Sequence, residues 1–150
     1  MSQFAKWDVQ AAEILDEPLL TPGVQLVSQL YWMTKTQKRI TEQRAKALEP
    51  FTPPSCAGVF YVVVTESRIV FFKVIVNFFT VKELGKVVLE LPRNAFMNGN
   101  GLIQVEKSGY STVHLKFMNK GVPTHYIMRC KGANMARFEQ NRLAWQGLAQ

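Results

Sequence analysis

Apolar and polar positions alternate over most of the second half of the chain, and the densest apolar stretch is residues 58–79, GVFYVVVTESRIVFFKVIVNFF. Two runs of β-branched and aromatic residues flank the polar link Thr65, Glu66 and Ser67. Such side chains suit a pleated surface, and a short polar break between two runs predicts an antiparallel hairpin. Every second residue of the later run (Val70, Phe72, Val74, Val76, Phe78) is apolar, whereas the other face carries Ile69, Phe71, Lys73, Ile75, Asn77 and Phe79. One face is therefore expected in a core and the other only partly wet. The rest of the chain is read as organised around this hairpin.

Downstream the alternation continues. Residues 80–85 read as a turn, and residues 86–91 as a half-buried strand in which Val87, Leu89 and Leu91 alternate with Lys86, Val88 and Glu90 before Pro92 ends it. Asn98, Gly99, Asn100 and Gly101 give the clearest turn signal, because Asn and Gly tolerate positive φ. Ile103 and Val105 then alternate with Gln104 and Glu106. Val113, Leu115 and Phe117 alternate with His114 and Lys116, and Tyr126, Met128 and Cys130 with His125, Ile127 and Arg129. Ser108 with Gly109, and Asn119 with Lys120 and Gly121, separate these runs, so a meander of sequential neighbours is expected. In the last stretch Met135, Phe138, Trp145 and Leu148 share a helical stripe. That helix is expected to plug the open end of a curled sheet whose inner face would otherwise be wet.

The first half is less regular. Phe4, Trp7, Ala11, Ile14 and Leu15 recur at helical spacing, predicting a short amphipathic leader helix that starts near Ser2 and is broken by Pro18 and Pro22. Its stripe has two destinations, its own sheet or a partner. Residues 24–33 suit either a helix or a strand, which periodicity over so short a run does not separate. Residues 35–48 are polar and rich in helix formers, and they hold the densest basic cluster: Lys35, Lys38, Arg39, Arg44 and Lys46 against Glu42. Three prolines in residues 49–57 then impose an extended linker.

With 150 residues, one domain with a single core is expected. Two cysteines, Cys56 and Cys130, do not make a disulfide framework, and idle thiols in a reducing compartment are the reading. The charged opening does not read as a secretory signal, and the longest apolar run, interrupted at Lys73 and Asn77, falls short of the roughly 20 residues that span a bilayer. The expectation is a cytoplasmic protein that can sit peripherally at a membrane. Net charge is +7, and Lys6 against Asp8, Glu13, Asp16 and Glu17 leaves the leader at −3 and the body at +10. A basic body points to anionic partners, solubility being the plainer account. The only histidines, His114 and His125, fall on polar faces of neighbouring strands without a third metal ligand at sensible spacing. Phosphate loops, CxxC pairs, HExxH helices and Gly-x-Ser-x-Gly elbows are lacking, so catalytic residues, a metal and a cofactor are not expected.

The pattern GVFYVVVTESRIVFF, followed by VVLELPRNAF, GLIQVEKSG, STVHLKF and MARFEQNRLAWQGL, resembles the bacterial pleckstrin-homology-like domains, GRAM-like variants included, over about residues 57–148. The resemblance implies an α+β fold: a strongly bent antiparallel sheet or split β-barrel of about seven strands, capped by a C-terminal helix. It makes residues 24–33 the first strand, residues 1–20 an N-terminal helical extension, and residues 21–150 one domain with a basic insertion at about 34–56. The family serves as a scaffold for lipids, peptides or partner domains, and fold alone does not choose among them. The leading functional expectation is a non-catalytic binding or adaptor module whose Lys35, Lys38, Arg39, Arg44 and Lys46 engage an anionic membrane or an acidic protein. The alternative is a subunit of a homo-oligomer or larger assembly that docks through Phe4, Trp7, Ile14 and Leu15. A nucleic-acid-binding β protein is the third.

Overall fold

A computed structural model of the protein describes residues 2–28, 58–76, 82–96 and 101–145. The elements run α1 (Gln3–Leu15), β1 (Val24–Ser28), β2 (Val59–Val64), β3 (Arg68–Val76), β4 (Lys82–Pro92), β5 (Leu102–Lys107), β6 (Tyr110–Asn119), β7 (Val122–Lys131) and α2 (Asn134–Trp145). One seven-stranded sheet in the order β4-β3-β2-β1-β7-β6-β5 holds all the strands, and each neighbouring pair is antiparallel. The expected hairpin is β2 and β3, joined through Thr65–Ser67. The open question over residues 24–33 resolves to strand for Val24–Ser28, and residues 29–33 lie outside the described residues.

The sheet is open but sharply curled. Phe71 on β3 and Tyr126 on β7 are three strand steps apart, about 14 Å on a flat sheet, yet their ring centroids lie 6.1 Å apart. The curl gathers the inner faces of the strands into one core with Phe138, Ala144 and Trp145 of α2. Phe96 sits against both Trp145 and Phe117, so the helix closes the hollow as the terminal stripe leads one to expect.

A second core lies on the other side of the sheet. Trp7, Ala11 and Leu15 of α1 pack on Tyr61, Val63, Val70, Phe72 and Val74. Ser2 caps the helix by accepting from the Ala5 N–H at 3.1 Å, and Asp16 ends it in the left-handed region at φ 53°. Of the two destinations open to the leader, the sheet is the one occupied. The all-apolar face of the hairpin is dry under α1 at Val70 and Phe72, and the face expected to be partly wet is equally dry at Ile69 and Phe71, opening at half-buried Lys73 and at Ile75, 50% accessible.

Two strands depart from expectation. β4 begins at Lys82 instead of after a turn ending at Gly85, because it carries extra residues that local alternation does not reveal. The register steps from Phe71↔Leu89 to Phe72↔Val87 and then to Val74↔Leu84, one extra residue in β4 at each step. Gly85 sits at the second step, where a Cβ would meet the Lys73 carbonyl oxygen at 2.8 Å, so the bulge depends on glycine. On β5 the inward residues are Leu102 and Gln104, paired with Leu115 and Val113, and not the expected apolar pair Ile103 and Val105. Gln104 is accommodated there by donating to the Ser111 hydroxyl at 3.0 Å and accepting from Arg142 at 3.3 Å.

Between β6 and β7 the chain reverses in two residues. Lys120 at φ 50° and Gly121 at φ 81° close the Asn119↔Val122 pair, the twist-matched geometry that Asn and Gly signals mark in sequence.

Candidate binding face

The outer surface of the sheet, the side of the second core, is covered over β2 and β3 by α1, while α2 lies on the inner side. Across β5, β6 and β7 the register stacks outward positions into rows. Ile103, His114 and Ile127 form one row, Val105, Thr112 and Arg129 the next, and Lys107, Tyr110 and Lys131 a third. Lys116 pairs with His125, and Met118 with Pro123. Among the described residues, every charged side chain on this face is cationic: Lys107, Lys116, Arg129 and Lys131. The nearby carboxylate Glu106 points to the opposite side, level with Ser111. The Arg129 guanidinium stacks 4.2 Å over the Tyr110 ring, which fixes a long cation in place by its flat face.

The two histidines approach diagonally across β6 and β7, with His114 Nδ1 and His125 Nε2 2.9 Å apart. Burial first, and then the Lys116 charge, hold His114 below the ordinary histidine value. Two imidazoles alone do not make a metal centre, and among the described residues no three His, Cys, Asp or Glu side chains gather to hold one. Exposed aliphatics flank the pair, Val105 at 40% and Met118 at 57% accessibility.

Other polar clusters are internal fastenings. Asp8 accepts from the Gly23 N–H at 2.9 Å and from the Tyr61 hydroxyl at 2.5 Å, and Arg137 of α2 donates to the Gly23 carbonyl at 2.8 Å. Burial and then the Asp8 carboxylate push the Tyr61 phenol well above its ordinary value. Asn141 of α2 accepts from Thr21 and donates to the Pro22 carbonyl. Arg68 bridges Glu17 at 2.8 Å and Glu90 at 2.9 Å while donating to the Leu15 carbonyl, so the hairpin-link arginine ties the end of α1 to the sheet.

The structure distributes the sequence candidates unevenly. Phe4, Trp7 and Leu15 face the sheet, Phe4 stacking on Tyr61 at 6.0 Å. Ile14, on the rim of the stripe, is 59% accessible. Lys35, Lys38, Arg39, Arg44 and Lys46 lie outside the described residues. The outer cations of β5–β7 were not singled out by sequence, although the meander's alternation carries them: once strand pairing is known, Lys107, Lys116, Arg129 and Lys131 all have outward parity.

The described residues thus define an α+β domain built on an open, curled seven-stranded antiparallel sheet between two helices. No protein-family model, curated protein or solved structure matches the chain. Among the described residues no helix is long and apolar enough to cross a membrane.

Proposed function

We propose that this chain is a non-catalytic binding module of pleckstrin-homology-like fold that engages an anionic surface. The observation that carries the reading is the cationic outer face of β5–β7, on which four strand positions are Lys or Arg and none is Asp or Glu. Charges so arranged repel one another slightly in the free protein and attract any extended negative surface. The basic segment with Lys35, Lys38, Arg39, Arg44 and Lys46 adds cations to the same chain. A curled seven-stranded antiparallel sheet with the last helix seated in its hollow is the arrangement the family resemblance implies, which supports the reading.

The test is co-sedimentation of the full chain with vesicles containing phosphatidylserine. Changing Lys107, Lys116 and Lys131 to Glu, or separately Lys38, Arg39 and Arg44 to Glu, is expected to release the protein without lowering its melting temperature. Each Lys or Arg near an anionic bilayer is worth about 1 kcal/mol, so three reversals suffice to abolish modest binding. Unchanged binding by both variants refutes the assignment. Retention on an acidic protein or a nucleic acid in place of vesicles moves the reading to those partners.

A further inference from the structure

A groove separates α1 from the rim strand β4, on the side of the sheet that holds the second core. Among the described residues its helical wall is Gln3, Lys6, Trp7 and Gln10, its strand wall includes Lys82 and Leu84, and it encloses about 450 Å³. Positions 3, 6, 7 and 10 fall on one side of a helix, which is why these four side chains meet. Gln3 fixes the helix start against the rim by donating to the Lys82 carbonyl at 3.0 Å.

The charge in the groove has one sign. Lys6 and Lys82 enter no ion pair among the described residues, although Lys82 is half-buried. Glu83 also borders the groove, but its pairing with Ile75 turns the carboxylate to the opposite face of the sheet. Lys82 and Leu84, paired with Val76 and Val74, keep the side on which α1 lies. The first turn of α1 holds no acidic residue, so the positive end of the helix adds to the same field. The Trp7 indole, 3% exposed, contributes a donor, Nε1, for which no described residue supplies the acceptor.

An occupant would therefore meet two ammonium groups, amides and an indole N–H beside the aliphatic wall of Leu84. A carboxylate brings one negative charge and two oxygens, which leaves one ammonium unmatched. A phosphate monoester carries nearly two charges at neutral pH and three strong acceptor oxygens. The volume lies toward the small end of ligand sites, roughly 300–1,000 Å³, and suits a body the size of one sugar or one aromatic ring.

We propose that the groove between α1 and β4 binds a small soluble phosphate monoester. Lys6 and Lys82 hold the phosphate, Trp7 Nε1 donates to it, and Leu84 carries the body of the ligand. The site is separate from the anionic-surface reading and does not rest on it, since β4 and β5 are opposite rims of the sheet.

The experiment titrates the full chain, labelled with nitrogen-15, with phenyl phosphate while its indole and backbone N–H signals are followed. The Trp7 indole and the Lys82 and Leu84 amides are expected to shift together and saturate with a Kd of about 1 mM or lower, the Trp145 indole staying in place. Lys6→Gln and Lys82→Gln should each weaken binding about ten-fold. Gln10→Trp, which fills the groove and keeps both lysines, should abolish it, so the result does not hang on one kind of variant. Shifts that never saturate and scatter over surface lysines overturn the site, as does undiminished binding in all three variants. Benzoate bound as tightly as phenyl phosphate overturns the phosphate class. Displacement of phenyl phosphate by phosphatidic acid vesicles but not by glucose 6-phosphate overturns the soluble ligand.

Discussion

Tyr61, in the middle of the sheet, donates its phenolic hydrogen to Asp8 of the leader helix at 2.5 Å. Arg137 of the closing helix reaches the same phenol oxygen at 3.2 Å, so elements far apart in sequence are fastened at one point. The knot straddles both cores, because β2 is the strand on which α1 lies and next to which α2 is anchored through β1.

Breaking that knot is expected to cost stability in a coupled manner. Tyr61→Phe should lose about 1–2 kcal/mol, and Asp8→Ala more, because it also leaves the Gly23 N–H without its acceptor and removes the carboxylate facing Arg137. The double variant should be less destabilised than the two losses added together. Urea denaturation of the four proteins measures this; strict additivity would mean the hydroxyl and carboxylate do not interact. Gly23→Ala provides a steric counterpart, since its Cβ would lie 2.4 Å from the Tyr61 ring.

Removing α1 should uncover the hairpin's outer face and not release a binding partner. A chain lacking residues 1–20 exposes Val70, Phe72 and Tyr61, now buried, and is expected to bind a hydrophobic dye and aggregate. Trp7→Ala, a milder change, should cost about 3–5 kcal/mol. Size-exclusion chromatography separates the possibilities: a clean shift from oligomer to well-folded monomer after truncation would favour assembly through the leader.

How much of this was legible in the sequence varies with how local its cause is. The hairpin, the meander and the plugging helix follow from alternation and from Phe138 and Trp145, because period and burial coincide there. That both faces are dry, Phe71 as fully as Phe72, was not legible, since it takes the curl of the sheet with α2 on one side and α1 returning across the other. Ile103 and Val105 misled because β5 is a terminal strand, where apolar residues are tolerated outside and Gln104 finds partners inside. The Asp8–Tyr61–Arg137 knot looks in sequence like three unremarkable polar residues. The cationic face emerges only when three strands are put in register.

Acid should weaken the tie between α1 and the hairpin. Glu17 is held below the ordinary carboxylate range, first by the Ser67 hydroxyl and further by Thr65 and Arg68. A carboxyl whose folded value is depressed contributes stability above its unfolded value and loses it as pH falls through the folded one. The wild type should therefore lose melting temperature below the usual glutamate range, and Glu17→Gln should start lower and fall less steeply. Parallel curves for the two proteins would remove Glu17 from the acid response.

Cys130 should behave as an inert core residue. Burial, with a smaller contribution from Glu139, pushes its thiol up to about 12, far from the thiolate needed for reaction. In a Cys56→Ser background, a disulfide-exchange reagent at mildly alkaline pH should label Cys130 only as fast as the protein opens. Rapid labelling of the native protein would contradict the buried placement.

The doubled irregularity of β4 has a bearing on how crowded copies of the molecule behave. β4 forms one rim of the sheet, its ladder to β3 is offset twice, and Gln3 reaches over to the Lys82 carbonyl at 3.0 Å. A rim kinked in this way gives a straight foreign strand no continuous template along which to zip. Fibre growth from that side is thereby discouraged, even though the valine-rich interior behind it would be among the most amyloid-prone segments of the chain if laid bare.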